Sequence, residues 1–208
     1  MPTRNIFKLS LLMAASFALV GTANAKIETG SNVSDMTVVD SNGMTHKLSD
    51  YAGKKVVLEW TNHGCPYVVK HYNPSHEGGN MQNLQKAAAA DDVVWLSIIS
   101  SAPGKQGYVS GKQANELTEN RNAAPEAVVL DAAGEMGRSF SAKTTPHMFV
   151  IDENQTLVYQ GAIDDKKSVN PADIPDAHNY VSAALESLRN GEPIAVGETK
   201  PYGCSVKY

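Results

Sequence analysis

The chain has 208 residues, with 18 Lys and Arg against 22 Asp and Glu and a formal charge of −4. It carries no basic stripe or aromatic-interleaved basic patch, which argues against nucleic acid as a partner. Cysteine occurs only twice, at Cys65 and Cys204, too sparse for a disulfide scaffold and enough for one bond.

Arg4 and Lys8 precede an apolar run from Leu9 to Val20 and a small-residue site, Ala23-Asn24-Ala25. This is the pattern of a secretory signal peptide, its apolar part too short for a membrane span. Residues 1–25 are therefore expected to be a removed leader. Residues 26–208 are expected to be a single exported domain, periplasmic or secreted, with no membrane insertion after leader removal. Loss of Arg4 and Lys8 would leave 16 basic against 22 acidic residues, a net charge of −6.

Val33–Asp40 and Thr45–Leu48 flank Ser41-Asn42-Gly43, and Asn-Gly between such runs predicts a hairpin. Lys54–Trp60 reads as an apolar strand and Cys65–Tyr72 as a short helix stopped by Pro74. Asn80–Ala90 is rich in helix formers. The continuous apolar run Val93–Ser100 predicts a strand buried on both faces. A glycine-rich loop, Ser101–Gly111, leads to a predicted helix over Lys112–Ala123, ended by Pro125. Ala127–Asp131 reads as a strand, followed by a helical turn through Met136 and Phe140. His147–Asp152 and Thr156–Gly161 predict a hairpin around Glu153-Asn154-Gln155. Asp164–Ala177 is a polar insertion in which Asp164-Asp165 beside Lys166-Lys167 reads as a solvated turn. Asn179–Asn190 is an amphipathic helix capped by Gly191. Together these elements predict an α/β fold, a central mixed sheet flanked by helices, with an N-terminal hairpin and a C-terminal tail.

Chemistry concentrates at Cys65, where a buried strand gives way to a helix. A thiol there meets unpaired backbone N–H groups and the positive end of the helix dipole, both of which favour thiolate. About eighty residues on, Pro146 heads the strand His147–Asp152 behind Thr144-Thr145.

The segments Asn62-His63-Gly64-Cys65-Pro66-Tyr67-Val68, Ser101-Ala102-Pro103-Gly104-Lys105-Gln106-Gly107-Tyr108, Thr145-Pro146 and Gly203-Cys204-Ser205-Val206-Lys207-Tyr208 resemble the exported peroxiredoxin-like redoxins. These belong to the thioredoxin superfamily, near the alkyl hydroperoxide reductase and thiol-specific antioxidant group. The resemblance implies a thioredoxin fold and an antioxidant or thiol-exchange oxidoreductase. Cys65 would be the nucleophile and Cys204 the resolving thiol. Pro146 would be the cis-proline that faces the active cysteine, its Thr145 backbone meeting the substrate. Glu59, six positions before Cys65, would be the buried acid with a raised pKa that relays a proton. The implied partners are a peroxide or a protein or small-molecule disulfide, and a thioredoxin-like reductant.

The departures are equally specific. Val68 occupies the second position of the usual Cys-x-x-Cys. Leu58 and Asn62 stand where peroxiredoxins have the Pro and Thr of Pro-x-x-x-Thr-x-x-Cys, and Pro146 stands where they have a peroxide-binding Arg. Asn62 or His63 would then have to supply the lost hydrogen bond to an oxygen. No cofactor and no metal are expected, because His63, His71, His76 and His147 show no sharp ligand spacing. A second reading stays open, in which a redox-inert binding module or copper chaperone is stapled by Cys65–Cys204. Closing that 139-residue loop would stabilise the fold by ~4–5 kcal/mol in the chain-entropy model.

Overall fold

The computed structural model describes residues 26–33, 36–75 and 78–208. The expected leader and His76 lie outside the described residues. The chain opens with the predicted hairpin, β1 (Thr37–Val39) and β2 (Thr45–Lys47), paired antiparallel with Val38 opposite His46. Asp40 Oδ1 accepts the N–H groups of Asn42 and Met44, and Gly43 takes a positive φ of 80°, so the Asn-Gly turn closes on itself.

Next come β3 (Val56–Trp60) and α1 (Pro66–Tyr72). Pro66 occupies the first helical position, where its missing N–H costs nothing and its fixed φ suits the helix. The helix stops at Asn73 because a residue before proline is pushed out of the helical region. Helix α2 (Asn80–Ala90) and strand β4 (Val94–Ile99) follow as predicted. Ser110 caps α3 (Gly111–Asn120) in a reciprocal box with Gln113. After β5 (Ala127–Leu130) and α4 (Glu135–Ser139), the two-residue strand β6 (Thr144–Thr145) leads into β7 (His147–Ile151) and β8 (Leu157–Gly161). Helix α5 (Tyr180–Asn190) is capped by Asn179, whose side chain accepts from Ser182 N, and ends at left-handed Gly191. The tail closes with β9 (Cys204–Ser205).

The central sheet has the order β5-β4-β3-β7-β8, with β5, β4 and β3 parallel and β7 and β8 antiparallel. Side-chain alternation sorts it into two layers. Leu58, Trp60, Leu96, Ile98, Val129, Phe149 and Ile151 face one side, packed with Phe140 and Met136 of α4. Val57, Trp95, Met148, Val150 and Tyr159 face the other with Cys65, Val68, Met81 and Val181 of α1, α2 and α5. Both faces are covered, so β3 and β4 are buried throughout and their sequences read as unbroken apolar runs. This is a thioredoxin fold. No helix among the described residues is long and apolar enough to cross a membrane.

Two expectations change. The helix read as Lys112–Ala123 starts one residue earlier and ends three earlier, because Ser110 caps it and left-handed Asn122 follows it. In the turn over residues 164–167, Asp165 and Lys167 are exposed as expected, but the Asp164 side chain is buried. Phe149 is fully buried, with ring centroids 4.9 Å from Trp60 and 5.3 Å from Phe140. Phe149→Ala is expected to lower the unfolding free energy by about 3–5 kcal/mol, read as a fall in the urea midpoint at unchanged slope.

Candidate active site

Cys65 sits at the N-cap of α1 in extended conformation, its carbonyl accepting the N–H groups of Val68 and Val69. Its side chain points into the layer beneath α1 and is 0% exposed. The Thr145–Pro146 peptide bond is cis. The Thr145 carbonyl oxygen faces Cys65 and lies 3.0 Å from its sulfur, as the acceptor for the thiol. Residues 203–208 pass directly over this point. β9 pairs antiparallel with β6, setting Cys204 opposite Thr145, and the two sulfurs stand 2.8 Å apart as free thiols. That is longer than a disulfide bond of about 2.05 Å and close enough that little movement is needed to form one.

Glycine is required at 203 for this approach. Its φ is +136°, and a Cβ there would collide with the Thr145 carbonyl oxygen. The tail is held on the far side too. Val206 N donates to Lys143 O, Ala102 N donates to Lys207 O, and the Tyr208 hydroxyl donates to Ala142 O at 2.8 Å beneath the Arg138 guanidinium. It is therefore a strap, tied down on both sides of Cys204.

The two thiols are electrostatically unequal. Burial pushes the Cys65 thiol up, but bonds from the Cys204 side chain and backbone and from the Val68 N–H outweigh it. The net is a pKa below the usual thiol value. Burial raises Cys204, and its hydrogen bond and charge interaction with Cys65 raise it further, to about 11. Cys65 is thus the more acidic of the two thiols.

The other predicted residues are distributed around this centre. Asn62 is buried, and both ends of its amide are already engaged. Its oxygen accepts Gly64 N at 2.9 Å and its nitrogen donates to Gln106 O at 3.2 Å. Gln106 returns a bond to Gly64 O at 2.9 Å, so the glycine-rich loop clamps the turn that leads into Cys65. Gln106 was not singled out from the sequence. His63 is half-buried, with no hydrogen-bond partner at Nδ1. Burial and then the charge of Arg121 hold its pKa below the ordinary value.

Glu59 is fully buried on the Cys65 side of the sheet. Burial pushes its pKa up, against bonds from Trp95, Tyr72 and Ser97 that pull it down. Those groups and Gln85 Nε2 take both carboxyl oxygens. No hydrogen bond joins Glu59 to either sulfur among the described residues. The predicted proton relay therefore has no direct contact to run through.

His147 is buried with its Nδ1 accepting Lys143 N, and burial drives its pKa to about 3. Among the described residues no three His, Cys, Asp or Glu side chains group as a metal site.

The sequence family decides the kinship. Residues 28–181 match the Redoxin family model. The chain belongs to the Redoxin family. Among solved structures, this redoxin is similar to a hypothetical protein of Sinorhizobium meliloti 1021, at 19% identity and a TM-score of 0.71, over 88% of this chain and 96% of that one. It is similar also to an uncharacterized conserved protein of Geobacillus kaustophilus, at 23% identity and a TM-score of 0.69, over 88% and 93%. A pneumococcal exposed lipoprotein thioredoxin of Streptococcus pneumoniae shares 22% identity with a TM-score of 0.50, over 75% and 98%. These likenesses are of fold. No curated protein matches the redoxin. The family match ends at Val181, so Cys204 lies beyond it and its part in the site rests on geometry alone.

Removing the Cys204 sulfur and its hydrogen bond with Cys65 should raise the Cys65 pKa. Cys204→Ala is expected to shift the thiolate absorbance of Cys65 to higher pH than in the parent, read in an ultraviolet pH titration of the reduced protein. An unmoved or lowered midpoint would contradict the asymmetry.

Proposed function

We propose that this redoxin is an exported, single-domain thiol–disulfide oxidoreductase with Cys65 as nucleophile and Cys204 as resolving thiol. The observation that carries the reading is the pair of free sulfurs 2.8 Å apart, one with a lowered and one with a raised pKa. The leader pattern over residues 1–25 supports export, and an oxidising compartment is where such a couple has substrates.

Cys65 thiolate attacks one sulfur of a substrate disulfide. That S–S bond breaks, one substrate thiolate leaves, and a mixed disulfide remains on Cys65. Cys204 loses its proton to the departing thiolate or to water and attacks Cys65. The second substrate thiolate leaves, and the enzyme holds Cys65–Cys204. The substrate has gained two electrons and the cysteine pair has lost them. An external dithiol restores the pair. Its thiolate meets Cys204 first, because Cys204 is partly exposed and Cys65 is not, and Cys65 leaves readily as the more acidic thiol.

A sulfur electrophile is favoured over peroxide by what surrounds Cys65. Pro146 stands at the peroxiredoxin arginine position, the Asn62 amide is engaged at both its oxygen and its nitrogen, and the Thr145 carbonyl that faces the sulfur is an acceptor. Thr145 and Pro146 form the wall against which a substrate chain would lie, with His63 at its rim. Glu59 enters this reading as a buried acid beneath the site, outside direct contact with the sulfurs.

The test uses reduced protein treated with an equivalent of a small disulfide and, separately, of hydrogen peroxide, followed by free-thiol titre and intact mass. Loss of both thiols and of two hydrogens under the disulfide, with Cys204→Ser trapped as a mixed disulfide on Cys65, is expected. Equal or faster loss under peroxide alone would make the protein a peroxidase. A reduction potential below about −300 mV, where structural disulfides sit, with Cys204→Ser affecting only thermal stability, would overturn the enzyme reading in favour of a staple.

A further inference from the structure

Two residues before Cys204, the strap enters a buried polar cluster that the reaction scheme above leaves unused. Asp164 is 2% exposed and Lys70, on the same helix as Cys65, is 1% exposed. The Tyr202 hydroxyl donates to Asp164 Oδ1, which also accepts the N–H of Lys166. Lys70 Nζ donates to Lys166 O at 2.9 Å and stands 3.6 Å from Asp164 Oδ2, which has no hydrogen-bond partner. His71 completes the group. Its Nδ1 accepts from the Asn80 amide at 2.8 Å, leaving Nε2 as the donor toward Tyr202 Oη at 3.4 Å, with Asp164 Oδ2 at 3.8 Å. Burial and the neighbouring Lys70 charge hold His71 neutral, at a pKa of about 3. Donors thus run in one direction, from Asn80 through His71 and Tyr202 to Asp164. They join α2, α1, the 164–179 segment and the strap.

The cluster sits beside the sulfur pair. Tyr67, two residues after Cys65, packs its ring 5.7 Å from that of Tyr202, two residues before Cys204. Between Tyr202 and Cys204 the chain has only Gly203, which is pressed against the Thr145 carbonyl. A shift of the tyrosine is therefore passed to Cys204 with little slack.

A buried carboxylate facing a buried ammonium is poor evidence of a stabilising device, because desolvation consumes most of the attraction. What it supplies well is position. An acceptor at Asp164 Oδ1 specifies one depth and one register for the strap, and a strap docked elsewhere would leave the carboxylate unsatisfied in the core.

We infer that Tyr202, held by Asp164 with Lys70 and His71, is a positioning residue for Cys204, setting how closely the resolving thiol is kept against Cys65 and how fully Cys65 is shielded. The inference rests on the Cys65–Cys204 couple proposed above and goes beyond it. The resolving thiol is not on a freely moving tail, and its effective concentration is fixed by a buried hydroxyl outside the matched family span.

The test is Tyr202→Phe in the full mature chain, which keeps the ring on Tyr67 and removes only the hydroxyl. Two quantities are read. One is the equilibrium constant for forming the Cys65–Cys204 disulfide against reduced and oxidised glutathione, and the other is the rate at which iodoacetamide caps Cys65 in the reduced protein, located by peptide mass. The disulfide constant is expected to fall about tenfold, the worth of one hydrogen bond to a charged acceptor, and capping of Cys65 to accelerate by a similar factor. Tyr208→Phe, at the other end of the strap, should change both by less than twofold. Asn80→Ala loosens the same chain of donors from outside the strap, and should move both readouts in the same direction as Tyr202→Phe. That second variant keeps the test decisive should Tyr202→Phe fold poorly. Disulfide constants and capping rates within twofold of the parent in both variants would overturn the inference, as would equal effects from Tyr202→Phe and Tyr208→Phe. A parent protein that forms no Cys65–Cys204 disulfide would instead overturn the proposed function itself.

Discussion

One carbonyl oxygen, that of Thr145, organises the reactive end of this molecule. It accepts the Cys65 thiol, its strand pairs with the strand that carries Cys204, and it leaves no room for any side chain at position 203. The acceptor belongs to backbone that leads directly into the buried strand β7 of the central sheet. The thiol on α1, the turn at Thr145–Pro146 and the C-terminal strap come from three distant parts of the chain. Their meeting depends on that fixed point.

The asymmetry of the two thiols follows from this packing. Cys65 lies at a helix start, where the Val68 N–H favours charge on its sulfur, and under a strap whose Cys204 side chain and backbone do the same. Cys204 lies on a two-residue strand, where burial and Cys65 outweigh the Lys207 charge and its own backbone N–H. Close approach therefore stabilises charge on one sulfur at the expense of the other, which makes the two thiols unequal in acidity. In this arrangement Cys65 is fully buried under the strap and Cys204 is partly exposed.

The protein buries two carboxyl groups near the site and satisfies them in opposite ways. Glu59 is surrounded by neutral donors from Tyr72, Gln85, Trp95 and Ser97, and burial outweighs them and the Arg121 charge to push its pKa upward. Asp164 instead faces a buried ammonium and a tyrosine hydroxyl. The first arrangement ties β3, β4, α1 and α2 together beneath the site. The second ties the strap to α1 above it. Both are dense enough in directed bonds to specify one packing, which an apolar core of the same volume would leave less defined.

Much of this was legible from local pattern. The Asn-Gly turn, the apolar runs at Lys54–Trp60 and Val93–Ser100, the proline at the first turn after Cys65 and the cap at Gly191 are short-range signals, and the elements stand within a residue or two of where those signals put them. The sequence also marked Cys65, Cys204, Thr145 and Pro146 as belonging together, through resemblance rather than spacing. Tertiary structure alone decided the rest. Asp164 next to Asp165, Lys166 and Lys167 has the composition of a solvated turn, and nothing within its own segment reveals that it is buried. Its partners lie 38 residues away at Tyr202 and on α1 at Lys70, whose bond to Lys166 spans 96 residues. Likewise Asn62 reads as a free polar group until the loop at Gln106 takes both ends of its turn. Periodicity and capping are properties of neighbours along the chain, so sequence determines them. Which polar group is buried, and against what, is fixed only when distant segments exclude water from it together.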